Sequence, residues 1–164
     1  MPFEGSYLWR LRQKVGTDLV LMPGAMLFLL RADGAILFTR RADNGQWCFP
    51  SGGAEDGSSF GATAITELRE ETGVVVDPID LVGFACFSDP DHHTITYPNG
   101  DVTHCFAMLF LARRWTGEPR PDGVETTAMH WSDPADPPSP LTRHSAEALR
   151  LLRGYLRDGS FRVF

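Results

Sequence analysis

The chain is poor in cysteine, short of positive charge, and without any long apolar run. Its three cysteines, Cys48, Cys86 and Cys105, are odd in number, far apart and in no metal-ligand spacing. They are expected to be core thiols in a reducing cytosol, without disulfides. Lys and Arg number 15 against 21 Asp and Glu, a formal net charge of −6. That balance argues against nonspecific binding to nucleic acid or to an anionic membrane surface. No signal peptide is visible, because Arg10, Arg12 and Lys14 precede only a short apolar run, and Leu27 to Leu30 is far too short to cross a bilayer. Internal repeats are also lacking. A length of 164 residues suffices for one domain with a proper hydrophobic core. A single soluble, cytoplasmic domain over residues 1–164 is the expectation.

Within that domain, Tyr7, Leu8, Leu11 and Val15 recur at helical spacing, predicting an amphipathic arm over residues 1–17. Such an arm packs on its own domain or on a partner subunit, which leaves a homodimer open. Ala25–Leu30 is a continuous apolar run of the buried-strand type. Asp33-Gly34 reads as a hairpin turn leading to a second strand, Ala35–Arg40. Further strands are expected at Val74–Val76, Leu81–Phe87, Val102–Ala112 and Thr126–Trp131. Pro134, Pro137, Pro138 and Pro140 make a loop. A closing helix spans residues 141–157, with Leu149, Leu152 and Leu156 on its buried stripe. Strands interrupted by one central helix and closed by another imply an α/β (α+β) fold, a sheet sandwiched between helices.

The most informative segment runs from Gly52-Gly53 through Glu67-Leu68-Arg69-Glu70-Glu71 to Gly73-Val74. On a helix over residues 59–72, Glu67, Glu70 and Glu71 share one face. Glu67 and Glu71 form a like-charge i,i+4 pair with no flanking Lys or Arg to relieve it, and Arg69 is expected to point elsewhere. Clustered carboxylates of this kind suit a hard divalent cation, Mg2+ or Mn2+. A solvated acidic helix face is the plainer alternative, weakened by the glycines that bracket the helix.

This segment resembles the Nudix box, the pattern G-x5-E-x7-R-E-U-x-E-E-x-G-U with U a bulky aliphatic. Gly52, Glu67, Leu68, Glu70, Glu71, Gly73 and Val74 match without a gap. Ser58 stands where the family has its isolated glutamate, and Thr66 where it has arginine. In the family that pair commonly braces the loop against the helix. Here both halves are absent, so neither charge is stranded. A Ser/Thr contact, or a Ser58 or Ser59 N-cap, could take over. The resemblance implies the Nudix α/β/α sandwich with a mixed sheet. It also implies cleavage of a nucleoside diphosphate linked to another moiety, by water attack at phosphorus. By the same resemblance Glu67, Glu70 and Glu71 ligate the metals, together with the Gly52 carbonyl, while Gly53 lets the loop approach the phosphates.

The general base is either Glu67 or a later loop acid, for which Glu125, six residues before Trp131, has the family's spacing. Arg40 and Arg41 close the second strand near the loop, and either touch phosphate or form surface salt bridges. His92, His93 and His104 have no structural-zinc spacing. They read as a pocket-lining pair and a packed strand histidine. Trp47 and Phe49 read as core or as a stacking platform. Pro90, about sixteen residues past the box, resembles a mark of ADP-ribose pyrophosphatases. ADP-ribose or a nucleotide sugar is thus the first expectation for the small-molecule partner, with a nucleoside triphosphate second. A non-catalytic nucleotide-sensing module is the alternative of another class. The missing brace favours the sensor; three retained glutamates, which a sensor does not need, favour the enzyme.

Overall fold

A computed structural model describes residues 4–164; the first three residues of the expected arm lie outside them. In chain order the elements are α1 (Tyr7–Val15), β1 (Val20–Leu29), β2 (Ile36–Arg41), β3 (Trp47–Cys48), β4 (Ser51–Gly53), α2 (Phe60–Thr72), β5 (Val82–Phe87), α3 (Pro90–His93), β6 (Thr94–Thr96), β7 (Val102–Ala112), β8 (Thr126–Ser132), α4 (Arg143–Asp158) and β9 (Arg162–Val163). They build two sheets. A mixed sheet runs β4-β1-β7-β5-β9 with β6 on the other half of β7, and a smaller one runs β3-β2-β8.

The central strand β1 is apolar on both faces because both are covered. Met26, Phe28 and Leu30 join Phe38, Phe49, Phe84, Leu109 and Leu149 in one core cluster. Ala25, Leu27 and Leu29 join Leu37, Ala64, Leu68 and Val76 in another, under α2. β1 pairs in parallel with β7 over its whole length, from Val20↔Thr103 to Leu29↔Ala112, and antiparallel with β4 at Ala25↔Gly52. The run of apolar residues in the sequence is therefore the signature of a strand buried on two sides.

Several expectations need correction. Asp33-Gly34 does make a turn, but β1 and β2 share only a single bridge, Leu30↔Ile36, and then part into different sheets. The reason is that β2 takes β3 and β8 as its neighbours. Val74–Val76 is not a strand: Val75 makes one bridge, to Thr116, while Val74 and Val76 fill the core beneath α2. On α4, Leu149 and Leu152 are buried, but Leu156 is 38% exposed. Tyr155, one position earlier, takes that place and packs on Phe84 with ring centroids 5.8 Å apart. His92 and His93 lie in the short helix α3 rather than in an open loop.

The N-terminal arm docks on its own domain, and its buried residue is an arginine. Arg12 donates hydrogen bonds to the carbonyl oxygens of Gly16 (3.1 Å), Asp18 (2.5 Å) and Val102 (2.7 Å), and to the Thr103 hydroxyl (2.9 Å). Asp101 stands 3.7 Å from it. A buried guanidinium supplied with that many acceptors is tolerated where an unpaired one would not be. No helix among the described residues is long and apolar enough to cross a membrane.

Phe28, fully buried, packs against Phe49 at 3.9 Å and Phe84 at 5.3 Å between ring centroids. Phe28→Ala is expected to cost about 3–5 kcal/mol, read as a lowered denaturant midpoint with an unchanged slope; a shift below about 1 kcal/mol would mean that this cluster can collapse around the void.

Candidate active site

α2 starts where Ser59 accepts a hydrogen bond from the Ala62 N–H at 3.1 Å, and ends where Gly73 adopts a left-handed φ of 72°. The N-cap is thus Ser59, and among the described residues no hydrogen bond joins Ser58 to Thr66. Between these caps Leu68 and Ala64 are buried against β1, which fixes the rotation of the helix and turns Glu67 and Glu71 towards β4.

Gly52 explains itself sterically. A Cβ there would overlap the carboxyl group of Glu67, which lies directly over the glycine. A Cβ on Gly24, on the neighbouring strand, would sit 2.6 Å from the Gly52 carbonyl oxygen. Two glycines therefore leave room for one carboxylate and one carbonyl at the same spot. Gly53 pairs with Gly24 in the β1–β4 ladder.

Glu71 is buried. Its Oε1 accepts from the Ser51 N–H at 3.0 Å, and its Oε2 from the Thr126 hydroxyl at 3.4 Å. Burial outweighs those bonds and, with the charges of Glu67 and Glu125, pushes its pKa up to about 8. Glu67 is pushed up to about 7, by burial first and then by Glu70, Glu125 and Glu55. Glu125 is raised by burial and by Asp122. These carboxylates feel one another, and among the described residues no Lys or Arg forms an ion pair with Glu67 or Glu71.

Glu70 is set apart. It is exposed, in a groove bordered by Arg69, Glu118, Arg120 and Asp122. Arg69 does not point clear of the cluster as expected: it stands 4.0 Å from Glu70, with both side chains open to solvent. That is a weak surface contact. Arg69 falls beside Glu70 because sequence neighbours at a helix surface need only bend their long side chains to meet.

Beside Glu71 opens a cavity of about 480 Å³, lined among others by Arg41, Asp43, Cys48, Ser51, Glu125 and Thr126. Arg41 faces it while held by Asp43 in a two-pronged pair at 2.9 and 2.7 Å. Arg40 does not line it; its Nε donates to the Gly45 carbonyl at 3.0 Å and braces the β2–β3 turn. Glu125 is delivered by a loop wound around Asp122, whose carboxylate accepts from the backbone N–H groups of Val124, Glu125 and Thr126. Phe49 is fully buried in the aromatic core, and His104 is tied to the Ser88 carbonyl at 2.9 Å. Ser51 and Thr126 carry no sequence signal beyond a strand residue, since only the fold brings them to Glu71, while Asp43 and Asp122 act locally, on Arg41 and on the Glu125 loop.

Among the described residues no three His, Cys, Asp or Glu side chains already stand close enough to enclose a metal ion. The donor chemistry nevertheless fits one: a buried carboxylate, Glu71, beside a half-buried one, Glu67, both with raised pKa values and no cation paired with them, and a glycine cradle around a carbonyl oxygen.

Known proteins share this fold. The family described as the NUDIX domain matches residues 20–153. An RNA pyrophosphohydrolase of Xanthomonas campestris pv. campestris (strain B100) is 34% identical over 61 residues, 37% of this chain and 30% of that protein. The chain therefore spans under a third of the length of that relative. Among solved structures, a MutT NUDIX hydrolase from Burkholderia pseudomallei superimposes with a TM-score of 0.63 at 24% identity, covering 81% of this chain and 98% of that one. An ADP-ribose pyrophosphatase from Streptococcus suis gives 0.62 at 22% identity, with 87% and 98% covered. With the box on α2 and a family match running from β1 into α4, the chain belongs to the Nudix family.

A carboxyl whose folded pKa lies above its unfolded value of 4.5 stabilises the fold fully at low pH and loses that contribution as the pH rises through about 8. His93, buried and lowered to about 4, acts oppositely, but only below its ordinary 6.5. Between pH 6.5 and 8.5 the metal-free protein should therefore lose thermal stability, and Glu71→Gln should flatten that slope. Melting curves in the presence of EDTA test this; an equal slope in the variant would mean that Glu71 is already ionised when buried.

Proposed function

We propose that the protein hydrolyses the diphosphate linkage of a small nucleoside diphosphate derivative, of the ADP-ribose or nucleotide-sugar kind, with Mg2+ or Mn2+. The observation that carries this reading is the buried Glu71 carboxylate at the wall of a cavity that also presents Arg41 and Glu125. A volume of about 480 Å³ is in the range of small-molecule sites.

The chemistry divides among the residues by their surroundings. Glu67, Glu71 and the Gly52 carbonyl would hold the cation, with Glu70 at its solvent side. A bound divalent ion would neutralise the diphosphate and acidify the attacking water, the main electrostatic need of the reaction. Arg41, pre-oriented by Asp43, offers its guanidinium to a phosphate oxygen of substrate entering the cavity. Glu125, on a loop fixed by Asp122 and with its pKa raised by burial, is one candidate for the general base, and Glu67 is the other. The net charge of −6 ceases to be an obstacle, because cation binding inverts the local field.

Nucleoside triphosphates form the second substrate class to be tried, and a module that binds nucleotide without turnover is the outcome of another class. A phosphate-release screen over nucleotide sugars, ADP-ribose, dinucleotides and nucleoside triphosphates decides among them. Chelation should abolish turnover and excess Mg2+ restore it; full activity after exhaustive chelation would end the metal-dependent reading. Glu71→Gln should lower kcat by roughly two orders of magnitude or more while the fold persists, as checked by circular dichroism. Retained kcat in this variant would move the catalytic centre away from Glu71.

A further inference from the structure

The loop between β4 and α2 has lost the family's internal brace, with Ser58 and Thr66 in place of the charged pair, yet it is not loose. Its acidic residues reach outward to the N-terminal helix. The Tyr7 N–H, in the first turn of α1, donates to both carboxylate oxygens of Glu55, at 3.0 and 2.9 Å. Asp56 pairs with the Arg10 guanidinium one turn further along. Ser6 accepts from the Trp9 N–H at 3.2 Å, so the side chain before the helix and the carboxylate from the loop together satisfy two of its free N–H groups. The helix is in turn pinned at its other end by Arg12, which bonds to Val102 and Thr103 on β7, the strand that pairs with β1.

A continuous chain of contacts thus runs from the central sheet through Arg12, along α1, and through Glu55 and Asp56 into the loop. The loop's own bonds complete it: the Ala54 N–H donates to the Pro23 carbonyl, and the Ser58 N–H to the Glu55 carbonyl, both at 2.9 Å. Glu55 is also close enough for its charge to be felt at Glu67. Gly52, which leaves room for the Glu67 carboxyl, and its neighbour Gly53 are the two residues just before this loop.

We infer that α1 is the external brace of the glycine loop, with Glu55 and Arg10 as positioning residues that hold Gly52 and Glu67 in register for the cation. The inference rests on the proposed metal-dependent function, but its mechanical half stands apart from it. In an isolated loop the missing Glu/Arg pair would cost rigidity. Here the same rigidity is imported from a helix anchored on β7.

The test uses the full chain and two probes, amide hydrogen exchange and Mn2+ alone. Glu55→Ala should speed exchange of the Tyr7, Ala54 and Ser58 amides by about tenfold. The Leu109 and Leu111 amides of β7 should stay unchanged. Mn2+, followed by its free-ion electron paramagnetic resonance signal, should bind about tenfold more weakly. Glu55→Gln, which keeps a carbonyl acceptor for the Tyr7 N–H, should retain most of both properties, and Arg10→Ala should fall between. Unchanged loop exchange in Glu55→Ala overturns the brace. So does equal acceleration throughout β7, which would make α1 a general stabiliser. Faster loop exchange with undiminished Mn2+ affinity overturns the link from brace to cation. A wild-type protein that binds no Mn2+ overturns the proposed function instead, and the exchange pattern then judges the brace by itself.

Discussion

The burial of Glu71 is the constraint on which the rest of the site depends. A carboxylate withdrawn from water needs donors, a cation or a proton. The fold supplies the first in the Ser51 N–H and the Thr126 hydroxyl, from two different sheets. Those two bonds join β4 of the mixed sheet and β8 of the smaller one to a single residue of α2. The cavity opens at that junction, between Ser51 of β4 and the ends of β2 and β8 that carry Arg41 and Thr126.

The same geometry accounts for the glycines. Turning Glu67 and Glu71 towards β4 leaves no space for a side chain at Gly52, and the β1–β4 pairing leaves none at Gly24 without crowding the Gly52 carbonyl. The repulsion between carboxylates that an ordinary helix would avoid is retained here at a cost to the metal-free fold. Such a cost persists where function needs the strained arrangement. Asp43 and Asp122 extend the pattern outward: neither touches Glu71, yet one orients Arg41 and the other shapes the loop bearing Glu125.

Membership of the Nudix family agrees with the fold, which solved members share. The names of the similar proteins divide among RNA pyrophosphohydrolase, MutT hydrolase and ADP-ribose pyrophosphatase. Those names single out no one substrate for this chain; in the cavity to which the proposed function assigns it, Arg41 is charged and Cys48 is a thiol raised to about 11 by burial.

Much of this was legible in the sequence, because periodicity and caps are local properties. The box helix, the long strand Val102–Ala112, the closing helix and the candidate carboxylates all follow from spacing and from glycine at places that need it. What spacing could not reveal is partnership. That β1 and β2 belong to different sheets, that Arg41 rather than Arg40 faces the cavity, and that Tyr155 replaces Leu156 on the buried stripe depend on which surfaces meet. The amphipathic arm shows the limit most clearly: its apolar residues suggested packing, but the anchor is Arg12. A guanidinium can be buried only where several acceptors converge, and the convergence of Val102, Thr103 and Asp18 on it exists only in the folded chain.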